Sequence, residues 1–377
     1  MKMSETRQAA LPAPLLKAAR SRWGHLLFVL PGMLPVVAWA LARQVGAWDL
    51  WAWFTPFVYF VIIPVLDFVL GEDRHNHDPA DESELARDPY YRCLPLSCLP
   101  LQLGLLFWGA AVWAEAPFGL AGQLGWIVSM GCVGGVQGIN AGHELIHKSN
   151  GVERAAGGVL LASVLYGSFK VEHIYGHHVD VATPDDNSTA RRGESVYAFI
   201  ARALARNVGR AFALERRHTE RRGEVYRWAR SEVFGWMLVS AAMCAVCVAI
   251  VGGTAGFVYY LGQAFFAIVL LETINYVEHY GLQRQRLPDG RYERVNPMHS
   301  WNSDYLLTNL LLFHLQRHSD HHAHATRRYH LLRHFDQSPQ LPFGYATMVV
   351  LSWVPSLWRS VMHPRLDRFQ AALSASR

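Results

Sequence analysis

Nine of the 19 histidines of this 377-residue chain lie in four short clusters. The clusters are NAGHELIHK with His143 and His147, VEHIYGHHVD with His173, His177 and His178, NYVEHYGL with His279, and LQRHSDHHA with His318, His321 and His322. Residues four apart share one face of a helix, so the pairs 143/147, 173/177 and 318/322 each predict two imidazoles directed at one point. Adjacent residues differ by about 100° around a helix, so His178 and His321 point to a neighbouring position. Nine ligands exceed what one metal ion needs, and the pattern predicts two ions.

The residue types narrow the kind of metal. No cysteine lies within the clusters, which excludes soft thiolate sites, whereas imidazole suits Zn, Cu, Fe and Ni. A zinc site closes with about four ligands. An imidazole-rich pair of redox metals is therefore the better fit.

Ligating imidazoles usually need an outer hydrogen-bond partner that fixes their tautomer. The polar residues beside the clusters are candidates for this role, with simple solvation of helix ends as the alternative: Glu144, Glu172, Glu278, Asp320, Asn140 and Asn275. His314, four residues before His318, is expected in the same outer layer, with a tenth ligand as the alternative. His324, His330 and His334 lie among arginines and are expected at the surface. The remaining histidines have no partner spacing: His25, His75, His77, His218, His299 and His363.

The elements that must hold these residues are apolar helices. The chain is 51% hydrophobic and only 17% charged, against about 25% charged in a typical soluble domain. Six stretches approach the roughly 20 residues that cross a bilayer, and they lie at about 25–43, 50–70, 94–114, 118–140, 233–252 and 255–275. We predict an all-α integral membrane protein, a single domain over residues 1–377 with six transmembrane helices and a cytoplasmic, histidine-rich helical cap.

The distribution of basic residues predicts the topology. An even number of spans puts both termini on one side, and 34 of the 35 Lys and Arg residues fall on that side, with only Arg43 on the other. By the positive-inside rule the termini and the long connectors are cytoplasmic. This topology explains the formal charge of +5 without a nucleic-acid partner. The first 24 residues hold five Lys/Arg and no short apolar core with a cleavage site, so we expect no signal peptide.

The clusters are expected at one depth. His143 follows the fourth span by three residues, and His279 follows the sixth by four. The other two clusters follow the apolar runs 156–169 and 305–315, which are too short to span. These runs and 341–358 are either re-entrant or interfacial helices or ordinary core helices. All four clusters are thus expected at the inner edge of the bilayer.

Glycines and aromatic residues in two of the spans raise the question of a channel. In the fourth span glycines recur at three- and four-residue steps, which favours close helix packing over space for a substrate: Gly131, Gly135, Gly138 and Gly142. In the second span Trp51 and Trp53 are expected to be interfacial anchors. Tyr59 lies deeper, where it either narrows a substrate channel and limits chain length or only packs. The one CxxC pair, Cys244 and Cys247, lies in an apolar run and is expected to pack or face lipid.

The histidine spacings resemble those of the integral-membrane di-iron desaturases and hydroxylases. Within that superfamily, NYVEHYGL and LQRHSDHHAH are similar to the membrane-bound alkane 1-monooxygenases, and weaker similarity runs over residues 25 to 365. The resemblance implies that the nine clustered histidines bind two iron ions. It implies terminal hydroxylation of linear alkanes to 1-alkanols with O2 and two electrons from reduced rubredoxin, with rubredoxin reductase upstream, in the bacterial inner membrane. Some relatives carry a fused rubredoxin with two CxxC motifs. This sequence has no such domain, so the electrons are expected from a separate protein.

Three questions stay open at this point. The basic residues Arg216, Arg217, Arg221, Arg222, Arg327 and Arg328 either dock an acidic redox partner or only reflect topology. The alternative enzymes are related di-iron oxygenases acting on aryl methyl groups or fatty acyl chains, such as a xylene-type monooxygenase or a desaturase. A metal transporter is disfavoured, because transporters usually place ligands near the bilayer midplane.

Overall fold

A computed structural model describes residues 12–375 and shows a helical protein. Along the chain the main helices are α1 (Gly24–Val45), α2 (Phe54–Leu70), α3 (Pro89–Glu115), α4 (120–146), α5 (Gly151–Ala162), α6 (168–180), α7 (Val196–Arg221), α8 (Glu232–Val251), α9 (Gly253–His279), α10 (Leu306–Leu311), α11 (His318–Ala323), α12 (Tyr345–Ser352) and α13 (Pro355–Ala375). Within the described residues there is no β-strand, only three isolated bridges. The all-α prediction is therefore confirmed. Of the amino-terminal segment considered for a signal peptide, residues 1–11 lie outside the described part.

Four helical segments of the described chain are long and apolar enough to cross a membrane: Gly24–Val45, Glu82–Glu115, Glu232–Val251 and Gly253–His279. They correspond to four of the six predicted stretches. The second stretch, α2, is an apolar helix of only 17 residues, shorter than the roughly 20 that cross a bilayer. The fourth, α4, is a continuous helical run, but it is rich in glycine and carries Gln123 and Gln137, and it is not among the four.

Small residues let α4 pack closely against its neighbours. A Cβ added at Gly131 would lie 2.7 Å from Cβ of Phe266 on α9, and one at Gly142 would lie 3.1 Å from the Gly157 carbonyl oxygen on α5. A side chain does not fit at Gly131 and would crowd its neighbour at Gly142, which supports the packing interpretation for these two glycines. Gly135, in contrast, lines the apolar cavity described below.

Polar contacts tie the flanking helices to this core. The Trp53 indole donates to the Ala121 carbonyl over 3.0 Å, so this residue joins α4 instead of only anchoring the interface. Asp67, buried near the end of α2, accepts hydrogen bonds from the backbone and hydroxyl of Thr308. Since Thr308 lies on α10, this carboxylate fixes the short helix that precedes the last histidine cluster. The runs predicted as too short to span form α5, α10 and α12, and each has a buried face.

Three of the helices contain a wider, π-helical segment. These segments are Val58–Ile62 in α2, Gly134–Asn140 in α4 and His173–His177 in α6. A π turn is bonded from residue i to i+5 and is common at functional sites. All three segments contribute residues to the cavity and metal centre described next.

Candidate metal centre

The nine clustered histidines come together in two adjacent groups. One group has five members, His143, His147, His173, His178 and His321, and the other has four, His177, His279, His318 and His322. Within each group, every histidine offers one ring nitrogen, and these nitrogens all lie within 4.8 Å of one another. In each of the two pairs of adjacent histidines, 177/178 and 321/322, one member belongs to the first group and the other to the second. The expectation that adjacent histidines serve different positions is met.

The predicted pairing of His173 with His177 is wrong. The structure assigns His173 to the first group and His177 to the second, whereas His173 and His178, five residues apart, have Nε2 atoms 3.0 Å apart. The reason is the π-helical segment His173–His177. In a π turn the residue at i+5, not i+4, returns to the same side.

The distances between ring nitrogens fit metal ligation. In the first group the Nε2–Nε2 distances are 3.0 Å for 147/173 and 3.1 Å for 178/321. In the second they are 3.1 Å for 177/322, 3.0 Å for 318/322 and 3.1 Å for 279/318. Imidazole nitrogen binds such metals at about 2.0–2.1 Å, so two ligands at right angles around one ion lie about 3.0 Å apart. Two ring nitrogens at this spacing repel one another unless one of them carries a hydrogen or a cation lies between them. The donor set suits one ion per group.

The two groups differ in access to solvent. All four rings of the second group are buried, with His177 and His279 at 0% exposure. In the first group His147 and His178 are partly exposed. The first group is therefore the one nearer to the protein surface.

Asp186 is the outer partner that sequence reasoning missed. Its Oδ2 lies 2.9 Å from Nδ1 of His177, and Thr189 donates to the same carboxylate over 2.6 Å. Burial raises the pKa of Asp186, but His177 and the Thr189 hydroxyl outweigh it and hold the pKa at about 2. An ionised Asp186 keeps the proton of His177 on Nδ1 and leaves Nε2 free to bind a metal. Asp186 is in a loop nine residues after His177, so helical spacing gives no signal for it.

Of the residues predicted as outer partners of the histidines, only Glu278 is seen against a clustered histidine. Glu278 Oε2 lies 3.2 Å from Nε2 of His318, which makes it the one predicted carboxylate seen within hydrogen-bond distance of a clustered histidine. The others bond elsewhere: Glu144 with Lys148, Glu172 with Arg210, Asp320 with Arg333 and His324, and Asn275 with Glu272. Asn140 lines the adjoining cavity.

Two of the three histidines expected at the surface are buried. His330 and His334, expected at the surface, are 1% and 8% exposed, so that expectation is wrong for both. His324 has an exposed side chain. His314 belongs to neither histidine group and stacks on His25, with ring centroids 5.3 Å apart.

An apolar cavity ends at the metal centre. Its polar end is formed by His143, His173, His318, Glu278 and Asn140. Its walls are almost entirely apolar and come from α2, α4, α9, α10 and α12, including Phe60, Val136, Leu270, Ile274, Leu311 and Val349. Tyr59 also lines it, and its buried hydroxyl has no hydrogen-bond partner. The cavity therefore offers an apolar ligand a site beside the histidines.

This fold and site match a known family. The family model described as fatty acid desaturase matches residues 119–352, which carry all nine histidines of the two groups. That match covers more than half of the chain, so the protein belongs to the fatty acid desaturase family.

Relatives narrow the class further. Alkane 1-monooxygenase 2 of Pseudomonas aeruginosa is 50% identical over 351 residues, which are 93% of this chain and 92% of that protein. Alkane 1-monooxygenase 2 of Alcanivorax borkumensis is 46% identical over 353 residues, 92% of this chain and 91% of that protein. The xylene/toluene monooxygenase hydroxylase component of Pseudomonas putida is 26% identical over 317 residues, 82% of this chain and 80% of that protein. The chain belongs to the alkane 1-monooxygenases, as the motif resemblance predicted.

Proposed function

We propose that this protein hydroxylates the terminal methyl group of linear alkanes to give 1-alkanols. One O2, two electrons and two protons are consumed, one oxygen atom enters the alcohol and the other leaves as water. The observation that carries this function is the apolar cavity whose end is lined by His143, His173 and His318 of the two histidine groups. The identity to proteins named alkane 1-monooxygenase supports the same substrate.

Two iron ions would be held by the two histidine groups, one by each. When bound, iron supplies the redox chemistry that activates O2, which no protein side chain provides. The residues of the chain position the reactants. The apolar walls bind the alkane, place one methyl end beside the histidines and exclude water. Asp186 orients His177, and Glu278 contacts His318 at the end of the cavity.

Tyr59 is expected to limit the length of the alkane, because its side chain lines the apolar cavity. In the Tyr59→Ala variant the ratio of 1-hexadecanol to 1-octanol formed should rise about tenfold, as each added methylene in a pocket is worth about 1–3 kcal/mol. Gas chromatography of products from C8 to C16 alkanes measures this. The matched control is Phe57→Ala on the same helix, whose side chain is exposed. An unchanged length profile in Tyr59→Ala would show that this residue only packs.

We propose rubredoxin as the electron donor, docking where the first histidine group comes nearest to solvent. An open groove there is lined by His147, His178 and Arg154. Lys148 and Lys170 also line it, but they pair with Glu144 and Glu232. Four of the six arginines considered from the sequence are paired with carboxylates: Arg216 with Glu220, Arg222 with Glu224, Arg327 with Glu82 and Arg328 with Glu153. Arg154 donates only to backbone carbonyls, so its charge is available to an acidic partner.

Reversal of this charge should weaken docking without altering the chemistry. In Arg154→Glu we expect the KM for rubredoxin to rise about three- to tenfold, with kcat unchanged at saturation and a weaker dependence on salt. The control is Arg291→Glu in an exposed loop. Equal KM values and salt dependence in the two variants would place the docking surface elsewhere.

We further propose six membrane crossings in the bacterial inner membrane, with both termini in the cytoplasm. The one-sided distribution of basic residues supports this topology. Cys93 is exposed near the amino-terminal end of α3, so a membrane-impermeant thiol reagent should label it in inverted vesicles and not in spheroplasts. The reverse labelling pattern would overturn the orientation.

A further inference from the structure

A large open groove lies at the same end of the helix bundle as the metal centre. Its volume is about 870 Å³, within the roughly 300–1,000 Å³ of typical ligand sites. The end of α2, the loop over residues 336–343 and the carboxyl-terminal half of α13 form it. Trp301, at its base, is close to the metal centre, because its backbone NH donates to the Glu278 carbonyl over 2.8 Å. The groove shares no lining residue with the apolar cavity proposed to bind the alkane.

The most exposed side of α2 leads into this groove. Val65, Phe68 and Val69 share one face of the regular α-helical part of α2, and each exposes 55–59% of its surface. Large exposed apolar surfaces mark sites of contact with a membrane or a partner. Phe68 also lines the groove, together with Phe369 of α13. An acyl chain lying against α2 could therefore continue along the apolar wall of the groove.

Two arginines of α13 give the groove a positive charge. Arg365 and Arg368 are three residues apart, so they are neighbours on the helix surface, and both line the groove. Arg365 donates to the Val361 carbonyl over 2.9 Å and Arg368 to the Pro364 carbonyl over 3.0 Å. Neither forms an ion pair with a carboxylate of residues 12–375. Burial and the charge of Arg368 both lower the pKa of Arg365, which shows that an anion to balance this pair is lacking.

The carboxylates that line the groove are already engaged. Glu72 Oε2 lies 2.8 Å from Arg74, and Asp336 Oδ1 lies 3.0 Å from Nε2 of His334. The two arginines are thus the charges of the groove that have no partner. Positive charge beside an apolar wall is complementary to an anion that carries an apolar chain. Free phosphate would leave the apolar wall in water.

We propose that this groove binds one anionic phospholipid, with its phosphate at Arg365 and Arg368 and an acyl chain along Phe68 and Phe369. Guanidinium groups suit phosphate because they donate two parallel hydrogen bonds. In the proposed orientation the groove faces the cytoplasmic leaflet, whose surface is negatively charged. The lipid site depends on this orientation and not on the alkane substrate.

The test uses the full-length protein in phosphatidylcholine nanodiscs that contain a small share of phosphatidylglycerol with a photoactivatable acyl chain. Peptide mass spectrometry after irradiation locates the label, which we expect at the end of α2 and in the second half of α13. A photoactivatable phosphatidylcholine with the same chains should label these peptides about fivefold less or weaker still. Excess inorganic phosphate should not reduce the labelling.

The arginine variants test the charge directly. Arg365→Gln and Arg368→Gln should each reduce labelling by phosphatidylglycerol about fivefold. Arg359→Gln removes the same charge from an exposed position of the same helix outside the groove, and it should label normally. Equal helical content by circular dichroism shows that the three variants are folded.

Three results would overturn the proposal. Equal labelling of the unaltered protein and all three variants would mean that these arginines do not hold the lipid. Equal labelling by the two photoactivatable lipids would mean that the groove takes acyl chains without regard to charge. Displacement by inorganic phosphate would mean that it recognises phosphate alone. None of these results bears on alkane hydroxylation, which product analysis tests separately.

Discussion

Formation of 1-octanol from octane should fall more than about 100-fold when His279 is replaced by alanine. The ring of His279 is completely buried, and its Nε2 lies 3.1 Å from that of His318 in the four-membered group. Losing even an outer partner of a metal site typically costs about 10–100-fold in affinity or activity. Removal of a ligand from the smaller group should cost more, and should also release the iron held there.

The assay uses iron-loaded membranes supplied with octane, O2, rubredoxin, rubredoxin reductase and NADH, with products identified by gas chromatography and mass spectrometry. His218→Ala is the control, because this histidine lies outside both groups. If His279→Ala still forms 1-octanol at the normal rate, this histidine is not a ligand. If the unaltered protein oxidises xylene or an acyl lipid but neither octane nor hexadecane, the metal centre stands and the substrate assignment is wrong.

Replacement of Asp186 by asparagine should lower iron affinity and octane hydroxylation together, by about 10–100-fold. The carboxylate fixes the Nδ1 proton of His177, whereas an amide in its place can present either its oxygen or its NH2 group to the ring. Iron per chain and the rate of 1-octanol formation, measured over a series of iron concentrations, separate weaker binding from slower chemistry.

The adjacent Asp185 offers a matched control. Asp185 is exposed and contributes its backbone carbonyl, not its carboxylate, to Arg210. Asp185→Asn should therefore leave iron content and rate unchanged. A loss of activity in Asp186→Asn that excess iron does not restore, with normal iron content, would assign Asp186 a role other than fixing His177.

The local spacing of histidines predicts much of the metal centre, because ligands close in sequence are held by one helix. It fails where the helix is irregular, as for His173 and His177, since an i+4 rule does not apply in a π turn. It also fails for groups that only the tertiary fold assembles. Asp186 reaches His177 from a loop, and His25, His314 and His330 meet from distant segments.

The membrane helices, too, are predictable from sequence in some cases and not in others. Uniformly apolar stretches such as Glu232–Val251 are recognisable from composition alone. The helix α4 is packed tightly within the protein, so it needs small and polar residues that lower its resemblance to a lipid-facing span. A helix packed against protein and a helix that faces lipid differ in amino-acid composition. Composition alone therefore does not determine the number of spans.

The three π-helical segments have a consequence for how this enzyme can change in evolution. A π turn holds one residue more than the α-turn it replaces, so loss of a single codon within Val58–Ile62 would restore a regular α-helix there. Because the π turn absorbs the extra residue, the helix on either side would keep its register, and only residues within the turn would change direction, by up to about 100°. Tyr59 and Phe60 would then present different faces to the cavity, while the rest of the bundle kept its sequence. Single-residue insertions and deletions, and not only substitutions, are thus a route by which such proteins can acquire new substrate ranges.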